Sequence, residues 1–394
     1  MTSNSAATPT NPPLERARAI APILEARARQ AENERTLPPE SVEAIADAGL
    51  LRLCLPRELG GDEPDFETVI EVWEELARAD GSAGWTAMAN GSAAGAAGAY
   101  LGDDAVCKIF GDDPAATVGG QFAPRGTGVA EAGGIRVSGS FSFGSGTVHS
   151  GYVSAGFIPL EDGQPRMADN GLPEMRVAFM PRDQIEFTDG WFVMGLRGTG
   201  SYDYEVRNVL VPDDFSFPLF THEPRRGGAM MRMGMMPLTA SGHAAWALGV
   251  GRRALDEVAA LAGTKQRLGH PTALVARPTF QRDYAHAEAR LRAARAFVME
   301  SFGDALASAE RGDEVSLEER ALLRMATCLA TDAAREACDF AHGAAGTDSI
   351  RDGSPLHRAF LDIHTGSQHA FINEKVYTDC AEVLLGSVED VIGL

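Results

Sequence analysis

Apolar residues recur at helical spacing over the first hundred positions. Pro39 and Glu40 open a segment whose apolar positions run through Val42, Ile45 and Leu50, with Gly49 near its end. Asp65 precedes a second segment, whose apolar face carries Val69, Ile70, Trp73 and Leu76. An aspartate in that place can accept hydrogen bonds from the first free N–H groups of a helix. Asp80 and Gly81 end that segment. Residues 82–100 are then rich in Ala and Gly, with Trp85 near the start, a composition that suits a buried helix packed closely on its neighbours.

From about residue 117 to 217 the period changes from helical to alternating. Ile135, Val137 and Gly139 form one such run, Tyr152, Ser154 and Gly156 another, and Val177 with Phe179 a third. Tyr204 and Val206 lead to Val209, Leu210 and Val211. Turn residues separate the runs, as at Gly133-Gly134 and Pro212-Asp213-Asp214. The pattern predicts an antiparallel β unit of about 100 residues. Helical spacing returns beyond Arg225 in long stretches over 240–262, 280–311 and 316–340. Ser316 and Glu319 have the spacing of a capping box. A last helical stretch starts at Ser354-Pro355. Four helices after a β unit predict a bundle. The expected organisation is a disordered tail over 1–13, an N-terminal helical domain over 14–115, a β-barrel domain over 116–222 and a C-terminal helical bundle over 223–394. This α+β order, helices then strands then helices, excludes a Rossmann fold, in which strands and helices alternate.

Composition narrows the function. The formal net charge of −20 repels phosphate backbones and anionic lipid, which argues against nucleic acid and membranes as partners. No apolar run reaches the ~20 residues of a membrane span. The first residues lack the pattern of a signal peptide, so a cytoplasmic location is expected. Lys108, Lys265 and Lys375 are the only lysines. The five cysteines are scattered without a CxxC pair, which argues for packing roles and against a zinc knot or disulfide framework. No P-loop, HExxH, GxSxG or GxGxxG after a strand is present. Local motifs leave the chemistry open.

Four segments, in order, carry a resemblance: residues 80–85 (DGSAGW), 137–146 (VSGSFSFGSG), 195–201 (GLRGTGS) and 362–369 (DIHTGSQH). Together they resemble the acyl-CoA dehydrogenase superfamily, and within it the branch of two-component flavin-dependent monooxygenases. The resemblance implies an N-terminal helical domain, a central antiparallel β-barrel and a C-terminal four-helix bundle, assembled as a homotetramer. It implies a reduced flavin supplied by a separate reductase, with FMN favoured over FAD because Phe340 replaces a glutamine of the adenine-side motif near residues 343–346. It also implies hydroxylation of a small aromatic or amine substrate with O2 through a C4a-hydroperoxyflavin.

Site roles follow from the same resemblance. Ser145 falls where the dehydrogenases place a threonine hydroxyl at flavin N5, and an acceptor there slows loss of hydrogen peroxide. Thr365 falls where they place the catalytic glutamate. A threonine hydroxyl has far too high a pKa to abstract a proton from carbon. The alternative base position, at Leu238-Thr239-Ala240, also lacks a carboxylate. His369, four residues after Thr365 and on the same face if the stretch is helical, is expected to deprotonate substrate or hold the hydroperoxide. Trp85 is expected against the flavin ring. Gln121, Phe122 and Ala123 match a flavin-contacting strand, Gly146 adjoins Ser145, and Arg197 and Arg267 are candidates for phosphate contacts. Asn90, His364 and Thr365 are candidate substrate contacts, and no metal site is expected. Some hydroxylases of the branch carry a second histidine eight residues after the tryptophan, where this chain has Ala93. The competing readings are an acyl-CoA dehydrogenase with a relocated base and a flavin-free subunit.

Overall fold

The computed structural model describes residues 11–111, 113, 115–388 and 391. The tail expected over 1–13 lies outside the described residues as far as residue 10. Five helices follow: α1 (Pro13–Glu34), α2 (Pro39–Asp47), α3 (Phe66–Ala79), α4 (Gly81–Tyr100) and α5 (Asp103–Phe110). Asp65 caps α3, its Oδ1 accepting from the Thr68 N–H at 2.8 Å. The α3 face bearing Phe66, Val69, Ile70, Trp73 and Leu76 is fully buried. Asp80 serves two helices. Its N–H closes α3 on the Leu76 carbonyl, and its Oδ2 starts α4 by accepting from the Ala83 N–H at 2.9 Å. Every residue of α4 except Ala89 is buried, which its small side chains allow.

The strands are β1 (Val118–Glu131), β2 (Gly134–Phe141), β3 (Tyr152–Glu161), β4 (Gln164–Pro165), β5 (Arg176–Pro181), β6 (Glu186–Thr188), β7 (Asp203–Val211) and β8 (Ser216–Pro218). They form one sheet in the order β6-β7-β2-β1-β3-β5-β8, with β4 paired to β3. Two expectations are corrected here. The sheet is open: β6 and β8, three residues each, end it on either side and do not pair with one another. It is also not wholly antiparallel, because β1 runs parallel to β3 at the centre. A bulge interrupts that pairing between Gln121 and Gly126, so Phe122 and Ala123 stand outside the ladder.

The C-terminal part contains α6 (Ala229–Arg232), α7 (Met235–Ala262), α8 (Pro278–Arg311), α9 (Leu317–Ala345), α10 (Pro355–Gly366) and α11 (Glu374–Leu384). The capping box of α9 is formed by Ser316 and Glu319 in both directions. α7 is the axis of the bundle, packing on α8, α9 and α10 and also on α3 and α4. Phe66 of α3 meets Phe302 of α8 edge-on at 5.2 Å, so both helical parts share one core. The fourth bundle helix is the 12-residue α10, and a short turn after it leads to α11, which lies on α9. Among the described residues no helix is long and apolar enough to cross a membrane.

Candidate active site

The turn after β2 turns Ser145 toward α4. The Ser145 carbonyl accepts from the Gly120 N–H of β1 at 3.1 Å, and Gly144 N–H is held by the Tyr202 carbonyl. Asn90 of α4, fully buried, clamps the far side: its Nδ2 donates to the carbonyls of Val118 and Gly146 and to the Ser150 hydroxyl. Gly146 has a φ of 72°, and a Cβ there would collide with the Asn90 amide. Asn90 thus fastens the turn through Nδ2, while its Oδ1 is buried without a partner.

Held in this way, the Ser145 hydroxyl accepts from Trp85 Nε1 at 3.0 Å. It also lies 3.0 Å from Ser201 Oγ, which lies 2.8 Å from Thr199 Oγ1. Thr199 donates to the Leu196 carbonyl at 2.9 Å. A carbonyl only accepts, and each hydroxyl has one proton. Thr199 must therefore accept from Ser201, and Ser201 from Ser145. Ser145, its proton committed and one lone pair taken by Trp85, presents only an acceptor to anything further.

The Trp85 ring sits among three others. Trp246 of α7 lies edge-on at 4.9 Å, His243 of α7 at 5.1 Å and His369 at 5.9 Å. The structure thus brings Trp85, Ser145 and His369 together. It does so by a different route from helical spacing. α10 stops at Gly366, and His369 stands in the turn that follows, its N–H on the Gly366 carbonyl. His369 Nδ1 accepts from the Phe371 N–H at 3.2 Å. The neutral ring therefore carries its proton on Nε2. Burial and the nearby Arg324 guanidinium lower the His369 pKa, to about 4. The residue as a whole is exposed, the ring being enclosed by the cluster, and the direction of the shift keeps the ring neutral at pH 7.

The other candidate substrate contacts lie elsewhere. His364 reaches α9, with Nε2 2.8 Å from Asp339 Oδ1, and packs against Phe360. Thr365 turns its hydroxyl back to the Leu361 carbonyl at 2.8 Å. One turn before it, Asp362 is fully buried and accepts from the Leu196 N–H at 2.5 Å. Burial raises its pKa, with Asp80 adding to the rise and the Leu196 N–H opposing it, to about 8. This carboxylate fixes the turn that starts the hydroxyl chain. Leu196 adopts φ 54°, an uncommon conformation for leucine that its three hydrogen-bonded neighbours Asp362, Trp191 and Thr199 hold in place. Among the described residues no carboxylate hydrogen-bonds or ion-pairs with Ser145, His243 or His369.

Two segments of the chain match family models. Residues 16–110 match the acyl-CoA dehydrogenase N-terminal domain and residues 241–374 the C-terminal domain. The chain belongs to the acyl-CoA dehydrogenase family. Its similarities within that family are to flavin-dependent monooxygenases. Indole-3-acetate monooxygenase of Pseudomonas putida is 30% identical over 362 residues, covering 92% of this chain and 90% of the relative. The flavin-dependent monooxygenase oxygenase subunit HsaA of Mycobacterium tuberculosis is 30% identical over 370 residues, 89% of each chain. Among solved structures, the 3-HSA hydroxylase from Rhodococcus sp. RHA1 superposes with a TM-score of 0.90 at 25% identity, over 98% of this chain and 99% of that one. XiaF from Streptomyces sp., solved with FADH2, shares the fold with a TM-score of 0.88 at 23% identity, over 97% of each chain. The chain is accordingly a flavin-dependent monooxygenase of the two-component type within the acyl-CoA dehydrogenase family.

The flavin contacts expected for that family fare unevenly. The Gln121 Oε1 is buried without a partner, one residue from the Gly120–Ser145 bond, and fits a ligand donor. Its backbone N–H is already taken by the Tyr204 hydroxyl at 3.0 Å. Phe122 and Ala123, in the bulge, keep backbone groups off the ladder. Arg197 is exposed beside the Leu196 turn. Arg267 donates to the Gly343 and Ala344 carbonyls at 2.5 and 2.9 Å, capping the end of α9 where its charge is favourable. The orphaned Gln121 Oε1 fits a flavin N–H, while Arg267 shapes the Gly-rich turn of α9. Sequence reasoning missed His243 and Trp246. The available signal was a histidine inside an otherwise small and apolar run, residues 240–251. A groove of about 350 Å³ between α8 and α9, lined by Ser301, Asp304, Ser308 and Glu319, shares no residue with this cluster.

Proposed function

We infer that this chain is the oxygenase component that takes reduced flavin from a separate reductase and hydroxylates a small aromatic substrate with O2. The single observation that carries this reading is the directed hydroxyl chain ending at Ser145, with no carboxylate among the described residues bonded to Ser145, His243 or His369. Bound reduced flavin supplies the electrons that activate O2. The chain's own residues do the rest. Ser145, able only to accept, would take a hydrogen bond from a flavin N–H and oppose loss of that proton. His369, with Nδ1 held by the Phe371 N–H, presents Nε2–H as a donor toward an oxygen. Of the two roles expected for His369, holding the activated oxygen fits this tautomer better than removing a substrate proton. Trp85 fixes the Ser145 hydroxyl and, with Trp246, walls the site with apolar rings.

An aromatic substrate is proposed because the Pseudomonas putida relative named above is an indole-3-acetate monooxygenase. Asp80 and Asp362, the buried carboxylates of this region, are engaged in capping α4 and holding Leu196, which speaks against α,β-desaturation. The reading includes a homotetramer, as the resemblance implies, and a cytoplasmic location. It is tested by mixing the protein carrying photoreduced FMN with oxygenated buffer and indole-3-acetate. Oxidised-flavin absorbance is expected to return more slowly than from free reduced FMN, with hydroxylated product formed. Immediate reoxidation with stoichiometric peroxide and no product, or reduction of bound flavin by an acyl-CoA, overturns it.

A further inference from the structure

His243 has no assigned task, yet it stands at the centre of the ring cluster. Its centroid lies 4.3 Å from that of His369, 5.1 Å from Trp85 and 5.7 Å from Phe371, to which it is nearly parallel. The residue is 3% exposed. Among the described residues neither ring nitrogen forms a hydrogen bond. Neither is among the buried polar atoms that are sealed off without a partner, so the small opening that remains reaches them. An imidazole at so narrow an opening, with neither nitrogen bonded to protein, is placed to take a partner that enters there.

We propose that His243 is a substrate-binding residue that accepts a hydrogen bond from an O–H or N–H borne by the aromatic ring of the substrate. The inference rests on the monooxygenase reading and names the substrate class for that site. Three features support an accepting role. No protein group fixes the His243 tautomer, so either nitrogen can offer its lone pair. Burial disfavours a cation at His243, and so do His369 and Arg324, whose guanidinium stacks on Phe371 at 3.6 Å and donates to the Phe371 carbonyl. His369, by contrast, has its Nδ1 engaged and offers only a donor. The pair thus divides the work: His369 donates toward oxygen, and His243 accepts from the substrate. Position 93 on α4 is alanine, and the second imidazole of the site comes from α7.

The groups facing His243 are few. His369 and Phe371 come from the turn after α10, Trp85 from α4, and Arg324 from α9. A substrate with a ring N–H or O–H would complete this set, and one in which that position is methylated would leave His243 unpaired.

The test uses indole-3-acetate and 1-methylindole-3-acetate as probes, bound anaerobically to the protein loaded with reduced FMN and followed by calorimetry. Wild type is expected to bind the N–H probe about tenfold more tightly than the methylated one. His243→Phe, which fills the space without an acceptor, is expected to bring the ratio near unity. His243→Gln, which restores an acceptor, is expected to recover part of it. A ratio unchanged in His243→Phe marks a steric effect and overturns the proposal. So does wild type that fails to distinguish the probes or binds neither. Should His243→Phe not fold, 15N spectra of wild-type histidine nitrogens decide. A His243 nitrogen is expected to shift on adding the N–H probe and not on adding the methylated one, and no difference overturns the proposal. Failure of the monooxygenase reading would appear separately, in the oxygen-mixing experiment, as immediate reoxidation with stoichiometric peroxide and no product.

Discussion

Ser145 acts through its orientation as much as through its position. A serine hydroxyl is free to donate or accept, and its bonding partners decide which. Thr199 and Ser201 are both buried, so their hydroxyls have no water to turn toward. They pull the Ser145 proton away from Trp85 and leave a lone pair facing outward. Ser145→Ala should raise the ratio of peroxide to hydroxylated product about threefold to tenfold, the worth of one hydrogen bond. Ser201→Ala keeps the Ser145 hydroxyl but frees its proton, and should raise the same ratio by a smaller factor. Assay of peroxide and product in parallel decides this. If Ser201→Ala matches wild type, the direction of the chain has no chemical consequence.

Between the residue and the whole chain stand the turns. The Ser145 turn is held by α4 through Asn90 and by β1 through Gly120, so a helix and a strand far apart in sequence fix one hydroxyl. Asn90→Ala removes the two N–H donors that serve three buried acceptors, the Val118 and Gly146 carbonyls and the Ser150 hydroxyl. It should lower stability by about 1–3 kcal/mol in urea unfolding and weaken reduced-FMN binding. A variant as stable as wild type with altered substrate affinity would restore Asn90 to the substrate contacts. The Leu196 turn is built by the same logic. Gly195 approaches the Leu361 carbonyl too closely for any Cβ, which lets Asp362 of α10 reach the Leu196 N–H.

At the scale of the molecule, α7 runs through the core of both helical parts, and the buried carboxylates beside it tie stability to pH. Asp362 is raised from 3.8 to about 8 by burial and by Asp80. Between these values the folded chain keeps a proton that the unfolded chain has released, so the contribution of Asp362 to stability falls as pH rises. Asp362→Asn retains an acceptor for the Leu196 N–H and has no proton to lose. Melting temperatures measured from pH 5 to 8 should decline more steeply for wild type than for the variant. Parallel curves would show that Asp362 is ionised in the folded protein across this range.

The amino-acid sequence by itself determined the order of helices, strands and helices, because apolar period is a local property. Asp65 and Ser316 announced helix starts, since a cap lies within three residues of the group it satisfies. The motifs around Trp85, Ser145 and His369 also carried the family and the chemistry. What only the tertiary structure decided was non-local. Strand alternation does not say which strand lies beside which, so the parallel β1–β3 pair and the open edges were not readable in advance. A helical register placed Thr365 and His369 on one face, but α10 ends between them, and packing put His369 on Trp85 instead. His243 shares no motif with either. It joins them because α7 passes between α4 and the turn after α10, and a lone histidine in a small-residue helix gains its meaning from those neighbours.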